Sequence, residues 1–161
     1  MASQTKLPAN KRKLADSLLE IRQKAPTPRG ERPRTLLMLS GGLDSVALLV
    51  NLLQETDDEI HAHHIELHNF ENRGRAETDA IFRILPYCWE HYRRFDYSSS
   101  KCVFQLGWSG LDITLAMFFA ARVRLAMRGP FDYVITGHRQ PETDLEQFTE
   151  ATAVYQACFV N

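Results

Sequence analysis

Thr35-Leu36-Leu37-Met38-Leu39-Ser40-Gly41-Gly42-Leu43-Asp44-Ser45, continuing into Val46-Ala47-Leu48-Leu49-Val50-Asn51-Leu52-Leu53-Gln54, decides how this chain folds. Residues 35–39 are a short apolar run, as expected of a parallel strand buried on both faces. Residues 44–54 are apolar over most of a helical circumference, which suits a helix packed against a sheet. Between them, two glycines let the backbone turn sharply and approach a ligand with no Cβ in the way. Successive amide N–H groups then face the crevice, and the helix adds its positive end. Ser40 and Ser45 contribute hydroxyl donors. Together these parts make an anion cradle. The order GxxxxGK[ST] of a Walker-type loop is missing, with no lysine in the turn to reach a γ-phosphate. The GxGxxG dinucleotide fingerprint is missing too. A glycine-rich turn with Asp44 capping a helix is the plainer alternative.

Working outward, residues 60–66 alternate Ile60, Ala62 and His64 with His61, His63 and Ile65, and predict a second strand. A polar loop at 67–74 leads to a helical pattern over 75–92 through Ala76, Ala80, Ile81, Ile84 and Leu85. Pro86 is expected to kink or split that helix. Residues 94–97 predict a weak third strand. Residues 111–127 predict a helix stopped by Gly129-Pro130, with Leu111, Leu115, Phe118, Phe119 and Val123 at packing spacing. Residues 132–136 predict a fourth strand ending at Gly137-His138, and Pro141 to Cys158 a final helix. Strands alternating with helices imply an α/β fold: a doubly wound parallel sheet, Rossmann-like and three-layered, in one compact domain over 34–161. Such sheets bind ligands beyond the carboxyl ends of their strands, where Ser40-Gly41-Gly42 and Gly137-His138 both fall.

Residues 1–33 read as a basic arm, with a short amphipathic helix through Leu14, Leu18, Leu19 and Ile21 and a linker broken by Pro26, Pro28, Gly30 and Pro33. The net charge is −1, yet nine Lys/Arg face three Asp/Glu within residues 1–34. Such an arm can touch nucleic acid or an acidic partner, or simply be solvated. The 44% hydrophobic and 24% charged residues are ordinary for a globular protein. No apolar run reaches the ~18 residues that span a bilayer, and no h-region follows the basic N-terminus, so neither membrane nor secretion is expected. Three cysteines, Cys88, Cys102 and Cys158, without a CxxC pair suit reduced thiols in a cytoplasm. They give no zinc site of paired spacing.

Strand, Ser-Gly-Gly-Leu-Asp-Ser and helix in this order resemble the signature of the PP-loop, N-type ATP pyrophosphatases. The resemblance covers roughly residues 34–140 and implies an adenine nucleotide alpha-hydrolase-like fold. It implies that Ser40, Gly41, Gly42, Leu43 and Ser45, with Gly137, bind the pyrophosphate portion of ATP, and that Asp44 holds the loop or helps place Mg²⁺. The implied activity is that of a carbon–nitrogen ligase. ATP is split to AMP and pyrophosphate, a carboxylate or carbonyl oxygen is adenylated, and a nitrogen or sulfur nucleophile displaces AMP. Arg73-Gly74-Arg75-Ala76-Glu77 and Gly137-His138 with Pro141-Glu142 are similar to segments of the 7-cyano-7-deazaguanine synthase branch. That similarity implies a nucleobase-like substrate and roles for Glu77 and His138 in catalysis. The four cysteines of that branch's zinc site are not matched here.

Of the histidines, strand alternation puts His61 and His63 on one face and His64 on the other, so they cannot all converge. His61 and His63 with a carboxylate could bind zinc. His64 or His68, near the strand's carboxyl end, is expected to line the adenosine or substrate pocket. Arg73, Arg75 and Arg139 are candidates for holding triphosphate or an acidic substrate, because guanidinium pairs bidentately with phosphate. Two further functions stay open: a nucleotide-binding module without the chemistry, and an RNA-thiolating enzyme using the basic arm. A homodimer is one way to cover the apolar helices.

Overall fold

The computed structural model describes residues 32–69, 72–103, 112–127, 130–137 and 153. Along the chain run β1 (Arg34–Met38), α1 (Leu43–Glu55), β2 (Glu59–His68), α2 (Gly74–His91), β3 (Asp96–Val103), α3 (Asp112–Ala126) and β4 (Tyr133–Thr136). The strands form a four-stranded sheet in the order β3-β2-β1-β4, and every pairing is parallel. The fold is therefore α/β. Residues 1–31 of the basic arm and the expected final helix, Ala153 apart, lie outside the described residues.

β1 is flanked at its edges by β2 and β4 and covered on both faces by packed side chains. Leu36 and Leu37 have no exposed surface, which is why the strand reads as a continuous apolar run. Alternation sends its side chains two ways. Leu37 and Leu39 join Ile60 and Ala62 of β2 in a cluster with Leu48, Leu49, Leu52 and Leu53 of α1 and Ile81, Leu85 and Cys88 of α2. Leu36 and Met38 pack with Ala120 and Val123 of α3 and with Phe131. Helices thus cover both faces of the sheet, α1 and α2 on one and α3 on the other.

Polar groups pin the ends of the strands. Asp132 accepts from the Arg34 amide at 2.9 Å and returns its own N–H to the Arg34 carbonyl at 2.8 Å, which sets β4 beside β1. Buried Thr35 donates to Asp58 Oδ2 at 2.6 Å, and Arg93 donates to the carbonyls of Asp58 and Thr56 just beyond α1. These bonds satisfy groups that would otherwise be costly to bury.

Three expectations are corrected. α2 runs unbroken through Pro86. Pro86 and Phe82, four residues before it, are both exposed, so the carbonyl that loses its helical donor faces water. β2 continues to His68 rather than stopping at 66. β3 spans 96–103 rather than 94–97, pairing with β2 from His61↔Asp96 to His68↔Val103. Its Ser98-Ser99-Ser100 core is polar because, among the described residues, the strand has a neighbour on one side only. No helix of the described residues is long and apolar enough to cross a membrane.

Candidate functional site

The turn after β1 is shaped by close approaches. Gly41 has φ +84°, a conformation costly for side-chain-bearing residues. A Cβ there would lie 2.7 Å from the Glu77 carbonyl oxygen and 3.2 Å from Ile81, so the turn rests directly on α2. Gly42 is extended and precedes α1 without any side-chain cap, leaving the first amides of the helix to other partners. The two serine hydroxyls bridge the turn: Ser40 Oγ and Ser45 Oγ are 3.0 Å apart, and Ser45 Oγ donates to the Gly42 carbonyl at 3.1 Å. The Gly42 amide donates to Ser40 Oγ at 3.3 Å. At the end of β4, a Cβ on Gly137 would stand 3.0 Å from the Ser45 backbone. The carboxyl ends of β1 and β4 therefore meet at the start of α1.

Beside this turn lies a cavity of about 260 Å³. Met38, Leu39 and Ser40 supply the β1 side, with His63, Ile65 and Leu67 from β2 and Thr136 and Gly137 from the end of β4. Asn69, Arg73, Gly74 and Glu77 line it around the start of α2, and Leu115 and Ala116 of α3 add a further wall. Gly74 is required here because a Cβ would overlap the Leu67 carbonyl, and that contact seats the start of α2 on the end of β2.

Among the residues expected from sequence, Ser40, Arg73, Glu77 and Gly137 are brought together on this cavity. Gly41, Gly42, Leu43, Asp44 and Ser45 form the adjoining turn and the first turn of α1. Ser45 is buried, whereas Leu43 and Asp44 are exposed. His138 and Arg139 lie outside the described residues. Arg75 is exposed and does not line the cavity. Neither does His68, which pairs with Glu66 at 2.7 Å. That bond, helped by Lys101, lowers the Glu66 carboxyl below its usual range.

His64 does not reach the cavity either. It is 1% exposed, with Nδ1 2.9 Å from the Leu39 carbonyl and Nε2 3.0 Å from Thr78 Oγ1. A carbonyl only accepts, so Nδ1 carries the proton and Nε2 accepts from the threonine hydroxyl. Burial lowers its pKa against the opposing pull of the Leu39 carbonyl and Glu66, which favours this neutral form. His64 is a brace between the last residue before the turn and α2.

His63, weighed from sequence only as a zinc ligand with His61, is the histidine that reaches the cavity. It lines the cavity, is 2% exposed, and lies 6.4 Å from the Phe119 ring, stacked at 21°. Its Nδ1 is 2.7 Å from Ser98 Oγ, and the same hydroxyl lies 2.7 Å from His61 Nε2. Burial, then the neighbouring imidazoles of His61 and His64, push the His63 pKa down to about 4. His61 is lowered as well, by burial and Arg34 against Asp96. The strand alternation that separates His63 from His64 was readable. That α3 brings the cavity to the His63 face was not.

Among the described residues, no three His, Cys, Asp or Glu side chains cluster as metal ligands; His61 and His63 converge on a serine hydroxyl instead. No protein-family model matches the chain, and comparison with curated proteins returns no match.

Proposed function

We propose that the chain is a doubly wound PP-loop protein that binds ATP at Ser40–Ser45 and splits it between the α and β phosphates. The split would activate a carboxylate or carbonyl oxygen of a small nucleobase-like substrate for nitrogen transfer. The observation that carries this is the turn itself. A positive-φ glycine resting on α2, two bridging serine hydroxyls and an uncapped helix start all stand at the carboxyl end of the central strand, where β4 also ends. Uncapped helix amides and a glycine with no Cβ suit an anionic oxygen at close range.

The division of space supports the same proposal. At about 260 Å³ the cavity falls just below the range of pockets that enclose drug-sized ligands, ~300–1,000 Å³. It suits one heterocycle, with phosphates lying outside it over the turn. Ser40 is shared by turn and cavity. Arg73 and Glu77 stand at the junction, where a guanidinium can neutralise phosphate and a carboxylate can orient or deprotonate a nucleophile. Exposed Asp44, in the first turn of α1, would hold Mg²⁺, which neutralises charge on the leaving pyrophosphate when bound.

The test is pyrophosphate release from ATP and Mg²⁺ with 7-carboxy-7-deazaguanine and ammonia. Release that depends on the carboxylate and falls roughly 100-fold or more in Asp44→Ala is the expected result. ATP binding without release for any carboxylate offered would favour a nucleotide-binding module. Absence of ATP binding would remove the proposal altogether.

A further inference from the structure

Every polar atom of a buried side chain should find a partner, and His63 satisfies only half of this rule. Nδ1 is engaged by Ser98. Nε2, buried in a ring that lines the cavity, has no hydrogen-bond partner among the described residues. His64, one position along the same strand, has both nitrogens bonded. The ring of His63 is well held, by Ser98 at one edge and by stacking on Phe119. It is a fixed imidazole with one free valence, and because that nitrogen has no accessible surface, a ligand in the cavity reaches it by displacing the groups that cover it.

Ser98 makes that valence adjustable. Its hydroxyl has one proton and lies 2.7 Å from a nitrogen of each of two histidines, so it donates to one and accepts from the other. When Ser98 donates to His63 Nδ1, the imidazole proton sits on Nε2, which becomes a donor, and His61 donates to Ser98. When Ser98 donates to His61, His63 carries its proton on Nδ1 and Nε2 becomes an acceptor. Rotating one hydroxyl and shifting the two ring tautomers switches between the states with no change in net charge.

We propose that His63 is a specificity-determining contact of whatever heterocycle fills the cavity, with Ser98 and His61 as positioning residues that let Nε2 either donate or accept. The ligand edge it reads is an uncharged ring nitrogen, N–H or carbonyl, since a buried neutral imidazole offers one hydrogen bond and no charge. The proposal rests on the cavity being the ligand site described above. It adds which side chain reads the ligand and how.

The experiment uses the full chain with ¹⁵N-labelled histidine, whose ring nitrogens report protonation and hydrogen bonding separately. The probes are a non-hydrolysable ATP analogue with Mg²⁺, 7-carboxy-7-deazaguanine, and inorganic pyrophosphate, which lacks a ring. The expected result is that one heterocyclic probe shifts the His63 Nε2 signal and pyrophosphate does not. His63→Phe keeps a ring against Phe119 and should weaken that probe about tenfold, leaving pyrophosphate affinity unchanged. Ser98→Ala should alter the tautomer signals of both His61 and His63 while the chain stays folded. If the wild type binds both heterocyclic probes and the Nε2 signal moves for neither, the contact is refuted although the ATP site stands. If none of the three probes binds, the site itself is wrong and the contact falls with it.

Discussion

His63 and His64 are adjacent on β2, almost equally buried at 2% and 1% exposure, and they do opposite things. His64 faces α2, and its two nitrogens join the Leu39 carbonyl to Thr78. His63 faces α3, with one nitrogen on Ser98 and the other without a partner among the described residues. Burial alone does not separate a structural histidine from a functional one; satisfaction does. A ring with both nitrogens bonded is committed to the fold. A ring held at one edge, with a buried unpaired nitrogen beside a cavity, is not.

Acid should have the largest effect, because it acts on both faces at once. His61, His63 and His64 are all lowered in the folded chain, each chiefly by burial, whereas the unfolded chain titrates near 6.5. Between those values the unfolded state binds more protons, so stability falls as pH drops from about 6.5 and levels off below the folded pKa. Asp96 and Glu66 oppose the shifts at His61 and His64, and Arg34 adds to that at His61. For His63 alone, a pKa of about 4 corresponds to roughly 3 kcal/mol lost between pH 7 and pH 4. Carboxylates also titrate near the bottom of that window, so the informative quantity is the difference between wild type and His63→Phe. If the variant is spared this loss, its denaturant midpoint should rise relative to that of wild type as pH falls from 7 to 4.5, by the equivalent of roughly 2 kcal/mol. Parallel curves would mean that His63 takes up its proton as readily in the folded chain as in the unfolded one.

Replacing His64 with Phe should come next. The ring shape survives, but the Leu39 carbonyl loses its donor in a buried setting and half-buried Thr78 loses its acceptor. Leaving such groups unpaired costs about 1–3 kcal/mol. A fall in melting temperature of roughly 5–8 °C is expected by calorimetry at pH 7.5. Because Leu39 precedes Ser40, ATP affinity should fall as well. A shift under about 1 °C would show that water reaches the Leu39 carbonyl and that His64 is no brace.

The two faces were not equally legible. Alternation alone separates His63 from His64, and β1 with α1 reads plainly because a strand buried on both sides must be apolar throughout. Gly137 was legible by its place at the end of a strand, Arg73 by its charge in the loop before α2, and Glu77 only through the family resemblance of its segment. What could not be read is which face of β2 carries the cavity. That depends on Leu115 and Ala116 of α3, far along the chain, closing over the end of the sheet. The partner of His63 was hidden too. Ser98 lies in a strand with a single described neighbour, where three serines in a row erase the apolar signal that a buried strand would show.

The smallest expected effect is the most discriminating. At pH 7.5, where His63 is neutral, His63→Phe removes one hydrogen bond but also removes a buried nitrogen that has no partner among the described residues. Ser98 keeps His61 at 2.7 Å, so its hydroxyl is not stranded. These changes oppose one another, and stability should move by no more than about 1 kcal/mol, well short of the same substitution at His64. The comparison needs only two melting curves on two single variants of one strand. Equal losses would mean that both faces are structural and that the unpaired Nε2 is met by groups beyond the described residues. A large loss at His64 with a small one at His63 leaves the second ring free of any role in holding the fold, which is the condition for it to serve the cavity.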